Sequence, residues 1–102
     1  KCLAIYSHEM WQRYVDKLSA IPEMRARNIR RFVFSSAIEA TVDSQGRVVL
    51  PQALREYAGL EKEIVIIGAG DHAELWDSAV WNKSMEDANV DSMIETLMEF
   101  GF

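Results

Sequence analysis

This chain has little of the residue chemistry from which disulfide scaffolds, metal centres and membrane spans are built. It holds one cysteine, Cys2, so no internal disulfide can form, and a lone thiol fits a reducing compartment. Cys2 opens a short apolar segment and reads as a small buried hydrophobe, not a nucleophile. The two histidines, His8 and His72, have no Cys, His or carboxylate partner at a metal-ligating spacing. His8 reads as a helix-start residue and His72 as a surface loop residue. No nucleophile, base or metal set assembles, so neither an enzyme, nor a cofactor, nor a small-molecule substrate is expected. No apolar run approaches the roughly 20 residues of a membrane span. The cytoplasm is the default location. Both prolines, Pro22 and Pro51, stand where a helix could open.

The 102 residues suffice for one domain, which would bury roughly 65% of its unfolded surface. With 49% hydrophobic and 26% charged residues the composition is that of an ordinary globular protein. The net charge of −5 is unevenly placed. All 11 basic residues precede residue 84, balanced there by 11 acids; Glu86, Asp87, Asp91, Glu95 and Glu99 follow with no base among them. Arg25, Arg27, Arg30 and Arg31 form a local positive cluster, whose plain reading is the solvated face of an amphipathic helix. The acidic total therefore does not exclude an anionic partner.

One pattern occurs twice. Residues 3–13 (Leu-Ala-Ile-Tyr-Ser-His-Glu-Met-Trp-Gln-Arg) and 73–83 (Ala-Glu-Leu-Trp-Asp-Ser-Ala-Val-Trp-Asn-Lys) align at an offset of 70. The alignment matches Tyr6 with Trp76, Trp11 with Trp81 and Arg13 with Lys83. Each copy predicts a short strand, a capping residue (Ser7, Asp77) and a helix. A full unit precedes the second copy. Ile38, Ala40 and Val42 alternate with polar residues as a half-buried strand, Asp43 to Arg47 forms a turn, and Arg47 to Leu50 returns. Pro51 opens a helix with Leu54 and Ala58 inward and Gly59 as its C-terminal cap. Ile64 to Ile67 is an unbroken β-branched run, expected as a central strand buried on both faces. The same offset places the first copy's hairpin ahead of residue 1, so the first repeat is expected to be incomplete.

Between the copies, Met10, Tyr14 and Leu18 recur at helical spacing. A second helix from Pro22 to Ser36 is expected to turn Ala26, Ile29, Val33 and Phe32 inward. From Asn89, Val90, Met93, Ile94, Leu97 and Met98 form an apolar stripe beside the acidic row Asp91, Glu95, Glu99. Like charges four apart cost roughly 0.2–0.5 kcal/mol per pair. This helix is expected to dock its stripe on the body or on a neighbouring subunit.

Two segments invite a chemical reading. Gly68-Ala69-Gly70-Asp71-His72-Ala73 matches a dinucleotide fingerprint in form, but Glu74-Leu75-Trp76 follows as a strand where a phosphate-binding helix would have to start. It is a turn. In Val42-Asp43-Ser44-Gln45-Gly46-Arg47-Val48-Val49-Leu50-Pro51, Gly46 supplies the positive φ of a tight loop, and Asp43 and Arg47 meet at its base. Such a pair either locks the turn or orients Arg47 toward an external anion.

That segment, with the Gln52-Ala53-Leu54-Arg55-Glu56-Tyr57-Ala58-Gly59-Leu60 that follows, closely resembles the DNA-binding unit of SpoVT/AbrB-like bacterial regulators. Two such units joined by a helical segment, with Ile66-Ile67-Gly68 and Glu74-Leu75-Trp76 after the second, look like the MraZ family. The resemblance covers nearly all of residues 2–88. It implies an α+β fold: an AbrB/MraZ-like β-barrel of swapped-hairpin or double-psi type, built from ββαβ repeats with flanking helices. The implied divisions are 1–18 (remnant of the first repeat), 19–36 (helical connector), 37–88 (complete second repeat) and 89–102 (acidic amphipathic tail). The implied function is a homo-oligomeric, ring-forming, nucleoid-associated repressor of the bacterial division and cell-wall operon, bound to direct repeats in promoter DNA. By the same resemblance Arg47 faces the DNA, Asp43 orients it, Ser44, Gln45 and Gly46 approach the backbone, and Arg55 adds a basic position. Ala40 and Glu56 stand where such units often have arginine, a poorer positive surface. The alternative is an AbrB-like antitoxin or protein-interaction module that uses the tail helix.

Overall fold

The two polar residues that follow apolar segments both start helices. In the computed structural model, which describes residues 1–102, Ser7 Oγ accepts the N–H of Met10 at 3.1 Å and Asp77 Oδ2 accepts that of Val80 at 3.4 Å. Each side chain satisfies an amide that the first helical turn leaves without a partner. The elements run β1 (Leu3–Ile5), α1 (His8–Ser19), α2 (Glu23–Ser36), α3 (Gln52–Ala58), β2 (Ile64–Gly68), β3 (Ala73–Asp77), α4 (Ser78–Asp87) and α5 (Val90–Glu99). Gly59, at φ +64°, ends α3 as expected: its N–H donates to Glu56 O and that of Leu60 to Arg55 O, the Schellman pattern. Gly101 ends α5 in the same way, with the Phe102 amide reaching back to Leu97 O. The class is mixed α+β.

The sheet has three antiparallel strands in the order β1-β3-β2. β1 pairs with β3 through Leu3↔Leu75, Ala4↔Glu74 and Ile5↔Ala73. With the offset of 70, Ala4 lies opposite its own counterpart, so the pairing is symmetric about that position. The aromatic pairs on either side are alike in geometry. Tyr6 and Trp11 meet edge-on at 6.0 Å and 61°, Trp76 and Trp81 at 5.6 Å and 63°.

Three expectations are corrected. β2 is an edge strand, not a central one; Val65 and Ile67 are half-buried while Ile64 and Ile66 stay exposed, because nothing covers their face. The central strand is β3, whose Leu75 is 5% exposed. The arms around Asp43–Arg47 form their turn but no strands, so residues 37–50 add no strand to the sheet, which has three strands and two open edges. In α2, Ala26, Arg30 and Val33 turn inward, whereas Ile29 and Phe32 are exposed.

Arg30 explains the change in α2. Its guanidinium donates to the carbonyls of Leu18 (3.3 Å), Ser19 (3.4 Å) and Ile21 (3.2 Å), and pairs with Glu23. A cation therefore sits at the carbonyl end of α1, where the helix dipole favours it, and it fixes the corner between α1 and α2. The buried core is small: Leu18, Ala26, Ala58, Leu75 and the polar Asp77. Asp77 is buried because it has two duties, its Oδ1 also accepting the amide of Glu61 at 3.1 Å.

Candidate nucleic-acid interface

The turn that the sequence marks is built by one carboxylate. Asp43 Oδ1 accepts the backbone N–H groups of Gln45 and Arg47, both at 2.8 Å. Its Oδ2 accepts Arg47 Nε at 3.0 Å. The chain closes behind it, with Asp43 N–H donating to Arg47 O at 2.9 Å and Gly46 N–H to Asp43 O at 3.1 Å. Gly46 sits at φ +79°, a conformation that a side chain would strain. These donors, the Arg47 amide first, then that of Gln45, then the guanidinium, hold the Asp43 carboxyl below the usual range of an aspartate. Asp43 thus stays ionised, and ionised it can only accept.

Arg47 is 71% exposed in its side chain and Asp43 44%. Only Nε is engaged; both terminal amino groups are without a protein partner. The pair therefore locks the turn and also leaves a guanidinium fork directed at solvent. That fork matches two acceptors side by side, as on phosphate or the O6/N7 edge of guanine. Ser44 and Gln45 lie exposed in the same turn with free side chains. The structure brings these five residues together. Arg55 stands apart on α3, exposed and unpaired, beside a shallow cleft lined by Gln52, Glu56, Gly59, Leu60 and Glu61. Glu56 and Glu61 make that cleft a poor anion site by itself.

His72 is not a free loop residue. Its ring stacks on Tyr6 at 5.1 Å, Nδ1 lies 2.7 Å from Asp71 Oδ1, and Nε2 lies 3.4 Å from Glu74 Oε2. Trp76 Nε1 donates to Glu74 Oε1 at 3.1 Å. His72, Glu74 and Trp76 alternate onto one face of β3, so period-two spacing could have revealed the row. The Asp71 carboxylate raises the His72 pKa above its ordinary value, and Glu74 adds to this. The clamp ties the β2–β3 turn to the segment after β1. Cys2 is half-buried, and burial raises its thiol pKa, which disfavours the nucleophilic thiolate.

Residues 33–98 match the family model described as MraZ protein, putative antitoxin-like. The chain is also 46% identical over 103 residues to the transcriptional regulator MraZ of Heliobacterium modesticaldum, across 97% of this chain and 72% of that protein. This chain belongs to the MraZ family. Membership supports a role in transcriptional regulation. The family match includes the Asp43–Arg47 turn, α3, the sheet strands β2 and β3, and most of α5. No helix is long and apolar enough to cross a membrane.

Proposed function

We propose that this chain is a sequence-specific DNA-binding repressor, which reads short direct repeats in the promoter of the bacterial division and cell-wall operon. It works as a homo-oligomer in the cytoplasm, on the nucleoid. The observation that carries this reading is the exposed Arg47 fork, held by an ionised Asp43 and otherwise unengaged. Ser44, Gln45 and Gly46 bring the turn's backbone close to phosphate, and Arg55 contributes charge from α3. One bidentate arginine provides roughly 1–3 kcal/mol of base discrimination, too little for a specific regulator. Several copies on repeated sites supply the rest, since linked binding multiplies affinity by roughly 10²–10⁴.

Assembly also accounts for the exposed apolar surface. Val42, Val48 and Val49 flank the turn, and Ile64 and Ile66 line the bare face of β2. We read the two segments 70 residues apart as repeat halves, 1–18 and 37–88, joined by a connector at 19–36 and followed by a tail at 89–102. In the assembled state the arms of residues 37–50 pair and close the barrel.

The test is fluorescence anisotropy with promoter DNA from the division operon and a scrambled control at fixed salt. Arg47→Ala lowers operator affinity by roughly 5- to 150-fold, the equivalent of one such contact, and leaves the melting temperature nearly unchanged. Unchanged affinity, or a collapse in stability, overturns the reading. A second reading, a protein-interaction module of antitoxin type, is favoured by the exposed stripe of α5. Deletion of residues 89–102 that abolishes capture of a partner protein while sparing DNA binding would support it.

A further inference from the structure

The tail helix and the connector helix carry complementary surfaces that this chain does not bring together. α5 has no buried residue; Val90, Met93, Ile94, Leu97 and Met98 all stand about half exposed or more. Asp91, Glu95 and Glu99 run beside that stripe at four-residue spacing, about 6 Å per step along a helix. None of the three is in an ion pair. α2 presents the opposite pattern. Ala26 and Arg30 face α1, which turns Arg27 and Arg31, again four apart, to the outside. Arg25 is exposed as well, and these three arginines have no acidic partner, unlike Arg30. Met24, Ile29 and Phe32 lie exposed among them, Met24 almost fully.

We propose that α5 of one copy docks on the outer face of α2 of a second copy. The apolar stripe of α5 covers Ile29, Phe32 and Met24, while Asp91, Glu95 and Glu99 meet Arg27 and Arg31. Two observations select this occupant. Pairing α5 with another α5 would set two acidic rows side by side, and no basic residue follows Lys83 to relieve them. Within one chain, α5 buries no residue against α2 or any other element. Each copy offers one α5 and one α2 face, so neighbouring copies use each face once. This surface is separate from the Arg47 turn and stands whether or not that turn meets DNA.

Two charge-reversed versions of the 102-residue chain test it. One carries Arg27→Glu and Arg31→Glu, the other Glu95→Lys and Glu99→Lys. All four side chains are exposed and unpaired, so circular dichroism and melting temperature stay near those of the parent. In sedimentation velocity the parent associates with rising concentration. Each reversed chain alone associates about tenfold or more weakly, since like charges then face each other. An equimolar mixture of the two recovers parental association, because each α5 then finds an α2 of opposite charge. Docking within one chain, or on an unrelated protein, gives no recovery on mixing and overturns the proposal. So does a parent that stays monomeric, or reversed chains that associate as it does. Should a reversed chain fail to fold, the parent's own salt response decides: association that weakens between roughly 0.05 and 0.5 M salt supports the ion pairs, and association that does not weaken overturns them.

Discussion

Asp43 and His72 are two side chains whose partners set their charge, and they respond to pH in opposite directions. The folded turn lowers the Asp43 pKa, so its stabilisation is complete above the ordinary aspartate range and is lost as pH falls through the lower folded value. Asp43→Asn keeps one acceptor oxygen but loses the charge that orients Arg47. DNA affinity is therefore expected to fall with little change in fold, measurable by the same anisotropy titration. His72 is the reverse case, since Asp71 and Glu74 favour its protonated form. Its contribution is complete below the ordinary histidine value, near 6.5, and is lost as pH rises through the higher folded value. Thermal melts from about pH 5.5 to 8.5 should show stability declining on the alkaline side in the parent. His72→Gln should lack that component; identical profiles would mean the clamp has no thermodynamic weight.

The helix ends carry much of the organisation at the level of elements. Asp77 caps α4 and also holds the Glu61 amide, so Asp77→Ala leaves two backbone donors without a partner next to the small core. A loss of roughly 1–3 kcal/mol follows, read as a lower melting temperature, whereas Asp77→Ser should keep part of the cap. Arg30 joins two elements. Arg30→Met preserves the stem and removes three carbonyl contacts at the end of α1. It should cost roughly 1–2 kcal/mol, while Arg31→Met, one position on and exposed, should be near neutral. Unfolding in urea distinguishes them, and equal effects would remove Arg30 from its corner role. The caps at Ser7, Asp77 and Gly59 were all legible in the sequence, because capping depends on a residue and its next few amides. The Arg30 corner was not legible. Its acceptors are nine to twelve residues away, and a guanidinium in an arginine-rich run looks like any solvated charge.

For the whole molecule, the balance between apolar content and burial is decisive. A chain that is 49% hydrophobic keeps five of its 102 residues buried, so much of its apolar surface awaits a partner. Residues 37–50 belong to that surface, holding a formed turn on unpaired arms. Hydrogen exchange should be fast along those arms in the dilute chain and slow in an assembled state, with the Asp43–Arg47 amides the slowest of the segment in both. Uniformly slow exchange in a demonstrated monomer would contradict an arm that pairs only on assembly.

Local rules were enough for the turn chemistry of Asp43–Arg47, the helix boundaries and the amphipathic pattern of α5, since each depends on neighbours within about one helical turn or one hairpin. The same residues carried the family resemblance, which the comparison with known proteins then established. Tertiary structure alone decided that β3 and not β2 is central, that Arg30 and not Ile29 faces inward, and that His72 is clamped against Tyr6. Those outcomes depend on what covers a face, and the cover comes from residues far along the chain or from another copy. A β-branched run such as Ile64–Ile67 states a demand for burial, and only the packed molecule determines whether that demand is met.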